Sequence, residues 1–361
     1  MTRRNWFNLH SWAGLKLSVF MFFISITGTL AVFAHDIDWL LNEKIRVSVG
    51  DERASHGAMI DAARASYPDW TFFILYEPVE RWFAAELIAF TPDGELRRIY
   101  IDPYRAEVTG DAGWLNAHRI LRETHRNLML PTKIGVPLVS LLAIPLLISA
   151  VTSLKIYKRW WTGFFQRPRT QRKRRFWGDV HRLTGVWSLA FIFIIAVTSV
   201  WYLVESLGAH APPAASMPSG NPDLPPPQVD GAALDEMIAN ARQDFPELVV
   251  TRIMFPRRAE QPLVLQGQTD AWLVRPRANA IAFEPGSGVE VHRHRAGELN
   301  LHQRISEAAD PLHFGYFGGL ATRIIWFVFG LGMSALSLTG IYLFGLRVVG
   351  KSSSPRRAVA V

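Results

Sequence analysis

The stretch HSWAGLKLSVFMFFISIT, His10–Thr27, reads in register with HRLTGVWSLAFIFIIAVT, His181–Thr198, 171 residues further on. In that register His10 matches His181, Gly14 matches Gly185, Phe20 matches Phe191, Phe22 matches Phe193, and Thr27 matches Thr198. Each copy opens an apolar run of the roughly 20 residues that a helix needs to cross hydrocarbon. The decisive reading is a duplicated membrane unit with a histidine where each copy enters the bilayer. An ionisable side chain at that depth marks a functional site by default.

The duplication extends beyond these helices. Met59-Ile60, Ala63-Arg64 and Tyr67-Pro68-Asp69 recur as Met237-Ile238, Ala241-Arg242 and Phe245-Pro246-Glu247. His125 precedes Thr152 by 27 residues in one apolar run, and His313 precedes Thr339 by 26 in another. The expected fold is a mainly α membrane protein, with four transmembrane helices in two repeats and two small α+β domains outside. The expected divisions are an N-terminus and first span over 1–34, a soluble domain over 35–133 and a second span over 134–156. A basic loop over 157–182, a third span over 183–204, a Pro-rich linker and second soluble domain over 205–320, a fourth span over 321–346 and a tail over 347–361 follow. Spacing predicts helices over 58–66 and 231–244, and strands near 72–76, 82–90, 96–101, 248–255, 262–268, 271–275 and 279–284. Mean hydropathy is only +0.10 because these polar segments dilute the apolar runs.

Charge sets the orientation. Residues 155–182 hold ten Lys or Arg against Asp179 alone, and Arg3, Arg4, Lys16, Arg347, Lys351, Arg356 and Arg357 flank the ends. Basic segments stay cytoplasmic. Residues 35–133 carry 12 basic and 16 acidic side chains and 205–320 carry 9 and 14, so both soluble parts are net acidic and fall outside. The expectation is a multi-pass protein of the inner, cytoplasmic membrane with both termini inside. The net charge of +8 is then a topology signal. It points to anionic lipid headgroups and not to nucleic acid.

The chain has no cysteine. That excludes disulfides, thiolate-held iron–sulfur clusters and covalently attached c-type haem. With the orientation above, His10 and His181 form a cytoplasmic layer, and His125 and His313 an outer one. Two imidazoles per layer, without sulfur, suit the axial positions of two b haems, with these four histidines as iron ligands. Phe20 and Phe191 are candidate apolar walls, and Gly14 and Gly185, one turn beyond their histidines, allow close approach. His35 returns to nearly the face of His10, and His118 lies seven residues before His125, so both are alternative outer ligands. Zinc fits less well, because it favours four ligands in one compact cluster.

The stretches Thr124-His125-Arg126-Asn127-Leu128, Asp179-Val180-His181-Arg182-Leu183-Thr184-Gly185, and Pro311-Leu312-His313-Phe314-Gly315 through Gly319 with Leu338-Thr339-Gly340 resemble the PepSY-associated transmembrane family. Within it the chain resembles the diheme inner-membrane siderophore reductases. The resemblance implies four membrane helices, two periplasmic PepSY domains, two b haems and reduction of periplasmic ferric siderophore with release of Fe(II). Thr198-Ser199 and Thr152-Ser153 depart from the Thr-Gly found at Thr27-Gly28 and Thr339-Gly340. Hard oxygen ligands hold Fe(III) far better than Fe(II), so a single electron releases the metal and no general base or nucleophile is required. No glycine-rich nucleotide fingerprint follows a predicted strand, so quinol or a cytosolic reductase is the expected electron donor. Two alternatives stand beside this: a diheme cytochrome serving another redox partner, and a haem-free PepSY membrane scaffold.

Overall fold

Apolar helices and alternating strands separate into two units in the computed structural model, which describes residues 1–214 and 218–352. The helices are α1 (Arg3–Leu15), α2 (Ser18–Ala31), α3 (Ala34–Leu41), α4 (His56–Ser66), α5 (Ala117–Asn127), α6 (Thr132–Ser140), α7 (Ala143–Ile156), α8 (Lys173–Trp187), α9 (Leu189–Ser206), α10 (Gly231–Asp244), α11 (Leu301–Phe314) and α12 (Gly319–Ser352). The strands are β1 (Thr71–Tyr76), β2 (Ala85–Phe90), β3 (Leu96–Asp102), β4 (Glu107–Gly113), β5 (Val249–Met254), β6 (Leu263–Gln268), β7 (Asn279–Phe283) and β8 (Glu290–His294). Residues 215–217 of the predicted linker, and Arg356 and Arg357 of the predicted tail, lie outside the described residues.

The first unit gathers residues 1–33, 121–210 and 312 onward. Its helices are inside-out relative to a water-soluble bundle. Val19, Ile134, Val197 and Val328 are exposed, whereas Ser25, Thr27, Thr29, Thr152, Ser188, Thr198, Ser334 and Thr339 are buried between helices. Small hydroxyl side chains let backbones approach and satisfy one another, and large apolar ones face hydrocarbon. At Gly330 an added Cβ would meet the Thr29 Oγ1 at 2.5 Å, so α2 and α12 touch almost backbone to backbone.

The four-span expectation needs correction here. Among the described residues three stretches are each long and apolar enough to cross, Thr132–Ile156, Leu189–Ser206 and Gly319–Val348. The fourth candidate is the pair α1 and α2, bent by 62°. The break falls at Lys16 and Leu17, where Ser18 Oγ donates to the Leu15 carbonyl (2.7 Å) in place of a continuing backbone bond. A side chain inserted into the backbone ladder in this way is an ordinary cause of a sharp kink. A milder break at Leu141 and Leu142 follows from Pro145, which has no N–H for the Leu141 carbonyl; Ile144 N–H takes that carbonyl instead (3.2 Å).

The second unit gathers Ala34–Ile120 and Ala211–Pro311. Two separate small domains were expected; the structure has one eight-stranded antiparallel sheet, ordered β4-β3-β2-β1-β5-β6-β7-β8. The matching first strands of the two repeats pair through Ile74 with Met254, Leu75 with Ile253 and Tyr76 with Arg252. Each four-stranded half alone would leave β1 or β5 as an edge with unpaired backbone groups, and joining them removes both edges. The helices α4 and α10 seal the junction reciprocally. Gly57 N–H donates to Asp235 Oδ1 (2.8 Å), and Gly231 N–H to Asp61 Oδ1 (2.9 Å). Met59, Ile60, Met237 and Ile238 from these helices share one core with Leu75, Leu87, Ile253 and Leu265 of the sheet. The predicted strand over 271–275 is a turn with Leu273 at φ +53°, and the strands β4 and β8 were not predicted.

Candidate functional site

Residues 10, 125, 181 and 313 lie on four different helices of the membrane unit, and each imidazole is fastened to a further helix through its Nδ1. Thr2 caps α1 by accepting from Asn5 N–H, and two turns on, His10 Nδ1 lies 3.1 Å from the Ser149 carbonyl and 3.2 Å from Thr152 Oγ1 on α7. On α8, His181 Nδ1 lies 2.7 Å from Thr339 Oγ1 of α12. Asp38 begins α5 by accepting from the N–H groups of Ala117 (2.7 Å) and His118 (3.1 Å). Burial raises the Asp38 carboxyl above its ordinary range despite those bonds. In the last turn of α5, His125 Nδ1 lies 2.8 Å from the Ile24 carbonyl of α2. Near the end of α11, His313 Nδ1 lies 2.9 Å from Thr198 Oγ1 of α9. Gly315, at φ +74°, stops α11 there, and the Trp326 ring fills the place where its Cβ would be.

These contacts fix the tautomers. A carbonyl can only accept, so His10 and His125 carry their proton on Nδ1. Thr339 and Thr198 already donate to the Ala335 (2.7 Å) and Ile194 (2.8 Å) carbonyls of their own helices, so they too accept from the histidines. In all four rings Nε2 is left as the lone-pair nitrogen, the form in which imidazole binds a metal.

The rings meet across the repeats. His10 and His181 have ring centres 6.5 Å apart, and His125 and His313 have theirs 6.1 Å apart. A metal–imidazole bond of about 2.0 Å, plus roughly 1.1 Å from nitrogen to ring centre, sets two rings on opposite sides of one ion about 6.2 Å apart. Both pairs fit that spacing. Among the described residues there is no group of three His, Asp or Glu side chains suited to hold a metal ion. Two imidazoles at this spacing leave an ion's other positions to be filled from elsewhere, and a haem macrocycle is one group that would fill them.

His35 and His118 pair with each other, stacked with centres 4.0 Å apart. That is too close for an ion between their faces. A Cβ on Gly14 would sit 3.8 Å from Ser149 Oγ and one on Gly185 3.7 Å from Leu336, so helix packing alone does not demand glycine at either. Phe20 is half-buried, and Phe191 is buried against Phe329 and Trp326 of α12. Sequence reasoning missed two sets of supporting residues. Thr152, Thr198 and Thr339 hold imidazoles, and their signal was their recurrence in register between the repeats. Gly28 is the second, because a Cβ there would overlap the His125 ring. His56, by contrast, is bound to Glu77 with Arg53 beside it in an ion pair of the sheet unit.

A family model for the PepSY-associated TM region matches residues 7–347. The chain belongs to that family. It is a membrane protein with several apolar helices, and the family match spans both repeats and all four paired histidines. No curated protein matches the chain.

Proposed function

We propose that this PepSY-associated protein is a diheme reductase of the bacterial inner membrane, passing single electrons outward to ferric siderophore and releasing Fe(II). The observation that carries the proposal is the pair of pairs: two imidazoles at 6.5 Å and two at 6.1 Å, each with Nδ1 tied down and Nε2 left for metal. His10 and His181 would hold one b haem, and His125 and His313 the other. Bound haem supplies reversible one-electron exchange at iron. The chain's own residues orient and electronically bias the ligands: Ser149, Thr152 and Thr339 for one pair, Ile24 and Thr198 for the other. The buried hydroxyls and the apolar lipid-facing shell keep bulk water from the ligands. The charge asymmetry supports cytoplasmic termini, with a quinol or cytosolic reductase as donor. The resemblance to siderophore reductases supports the substrate class.

Purified chain from haem-replete cells is expected to carry two haems per polypeptide, with sharp bands on dithionite reduction. In proteoliposomes, a panel of ferric siderophores should reoxidise it. A colourless preparation would overturn the proposal entirely. Reoxidation by redox proteins but by no ferric chelate would replace the substrate and leave the electron carrier.

A further inference from the structure

We infer that the edge strand β8 carries a separate binding site for a borderline divalent transition-metal ion, formed by His292 and His294. These residues are two apart on a strand, so both side chains leave the same face. Their ring centres are 5.8 Å apart. Two imidazoles on one ion span about 4.4 Å at right angles and about 6.2 Å when opposite, given the same bond lengths, so the observed separation falls inside the range.

The nitrogens themselves are the stronger argument. His292 Nε2 and His294 Nδ1 are both shut off from solvent with no hydrogen-bond partner. A buried polar atom without a partner is costly, and native folds rarely tolerate two side by side. For His294 the Ala278 backbone carbonyl lies within reach of the ring. That leaves Nδ1 as the lone-pair nitrogen, and a ring donating its other N–H to a carbonyl is the usual arrangement of a metal-bound histidine. The Glu298 carboxylate lies close enough to act on His294 electrostatically and favours a cation there.

Opposite His292 and His294 on β7 stand Ala282 and Ala280, both buried, which fixes both histidines on one face of the sheet. Between them Arg293 leaves the other face, where it is tied to Glu290 and to the Asp244 carbonyl, which fixes the register of the edge. Imidazole pairs of this kind take Zn(II), Ni(II), Cu(II) or Fe(II) in preference to the hard alkaline-earth ions.

The test is Zn(II) titration of the full chain, purified without a histidine tag, against a chromophoric chelator. One ion per chain is expected to weaken at least tenfold in both His292→Gln and His294→Gln, and not in His56→Gln. A residue-resolved measurement needs no variant. Zn(II) should shift the imidazole NMR resonances of His292 and His294 in the wild-type chain, and leave those of His56 and His210 unchanged. Equal Zn(II) affinity in His294→Gln and wild type, or unaltered resonances of both strand histidines, overturns the site and assigns their nitrogens to water. The four membrane imidazoles also carry a free Nε2, so the titration uses haem-replete chain, and the differences made by His292→Gln and His294→Gln read the strand site alone.

Discussion

In the first repeat His10 and His125 hold to main-chain carbonyls, those of Ser149 and Ile24; in the second, His181 and His313 hold to the hydroxyls of Thr339 and Thr198. The matching threonines of the first repeat are present but used differently. Thr152 stands beside the Ser149 carbonyl at His10, whereas Thr27 turns its hydroxyl back to the Phe23 and Ile24 carbonyls and leaves His125 alone. Because each pair joins one repeat to the other, each contains one carbonyl-held and one hydroxyl-held ring. Duplication thus kept the positions of the paired histidines while their acceptors diverged. A carbonyl is the stronger acceptor, so the first-repeat rings carry more negative character at Nε2.

The largest test asks whether the pairs do cross the repeats. Removing His10 or His181 by substitution with alanine should each lower haem from two to one per chain, and removing both should cost no more than removing either, because the two act on one ion. Haem quantitation as the pyridine complex reads this directly. Two separate losses in the double variant would break the pairing. Next in size is Gly28→Ala, whose added methyl group overlaps the His125 ring. Overpacking of that kind costs about 1–3 kcal/mol, and the expected outcome is loss of the outer haem with the inner one retained. The equivalent change at Gly340, where a Cβ would meet His181 Cε1 at an ordinary 3.8 Å, should leave both haems in place.

The two-repeat plan and the histidine register were readable from residues alone because apolar periodicity and repeat offset are local properties of sequence. Two features were not. The bend at Lys16 and Leu17 lies within a run whose average remains apolar, with the Ser18 hydroxyl on the Leu15 carbonyl, so a window sees one span where the backbone has two helices. The union of β1 with β5 depends on edge pairing between strands more than 170 positions apart, and alternation within a strand says nothing about its neighbour. The strand β4, EVTGDAG, carries two glycines and little apolar alternation, and only its partner Leu96–Asp102 makes it a strand. At the site, the paired side chains were visible as isolated histidines, but their anchors were hidden because a threonine in an apolar helix reads as lipid-tolerant filler.

The threonines provide the third and smaller effect. Thr339→Val removes the hydroxyl that accepts the His181 Nδ1 proton and should cost about 0.5–1.5 kcal/mol in stability, the net worth of one hydrogen bond. It should also raise the midpoint potential of the haem held by His10 and His181, because a ring without an acceptor donates less to iron and favours Fe(III) less. Thr339→Ser keeps the hydroxyl and should restore the wild-type potential, which a purely structural role would not require. Thr152→Val should shift the same potential less, since the Ser149 carbonyl still holds His10. Equal shifts at both threonines would remove the difference between the repeats.

The smallest expected effect concerns how each entry helix is pinned. In the second repeat Asp179, two residues before His181, accepts from Arg169 at 2.8 and 3.0 Å and pairs with Arg182 at 3.1 Å. The matching residue of the first repeat is Asn8, which is exposed. The Arg169 hydrogen bonds are the main reason the Asp179 carboxyl is pushed down to about 2. A carboxyl depressed in the folded state adds stability above its unfolded value near 3.8 and loses it as pH falls through its folded value. Wild type should therefore unfold at a modestly higher temperature than Asp179→Asn at pH 7. The gap should begin to close below about pH 4 and vanish toward pH 2, while Asn8→Asp, which lacks an Arg169 counterpart, should gain nothing. A gap that stays constant from pH 7 to pH 3 and below would mean that Asp179 acts through shape and not charge, and the two entry helices would then be held alike.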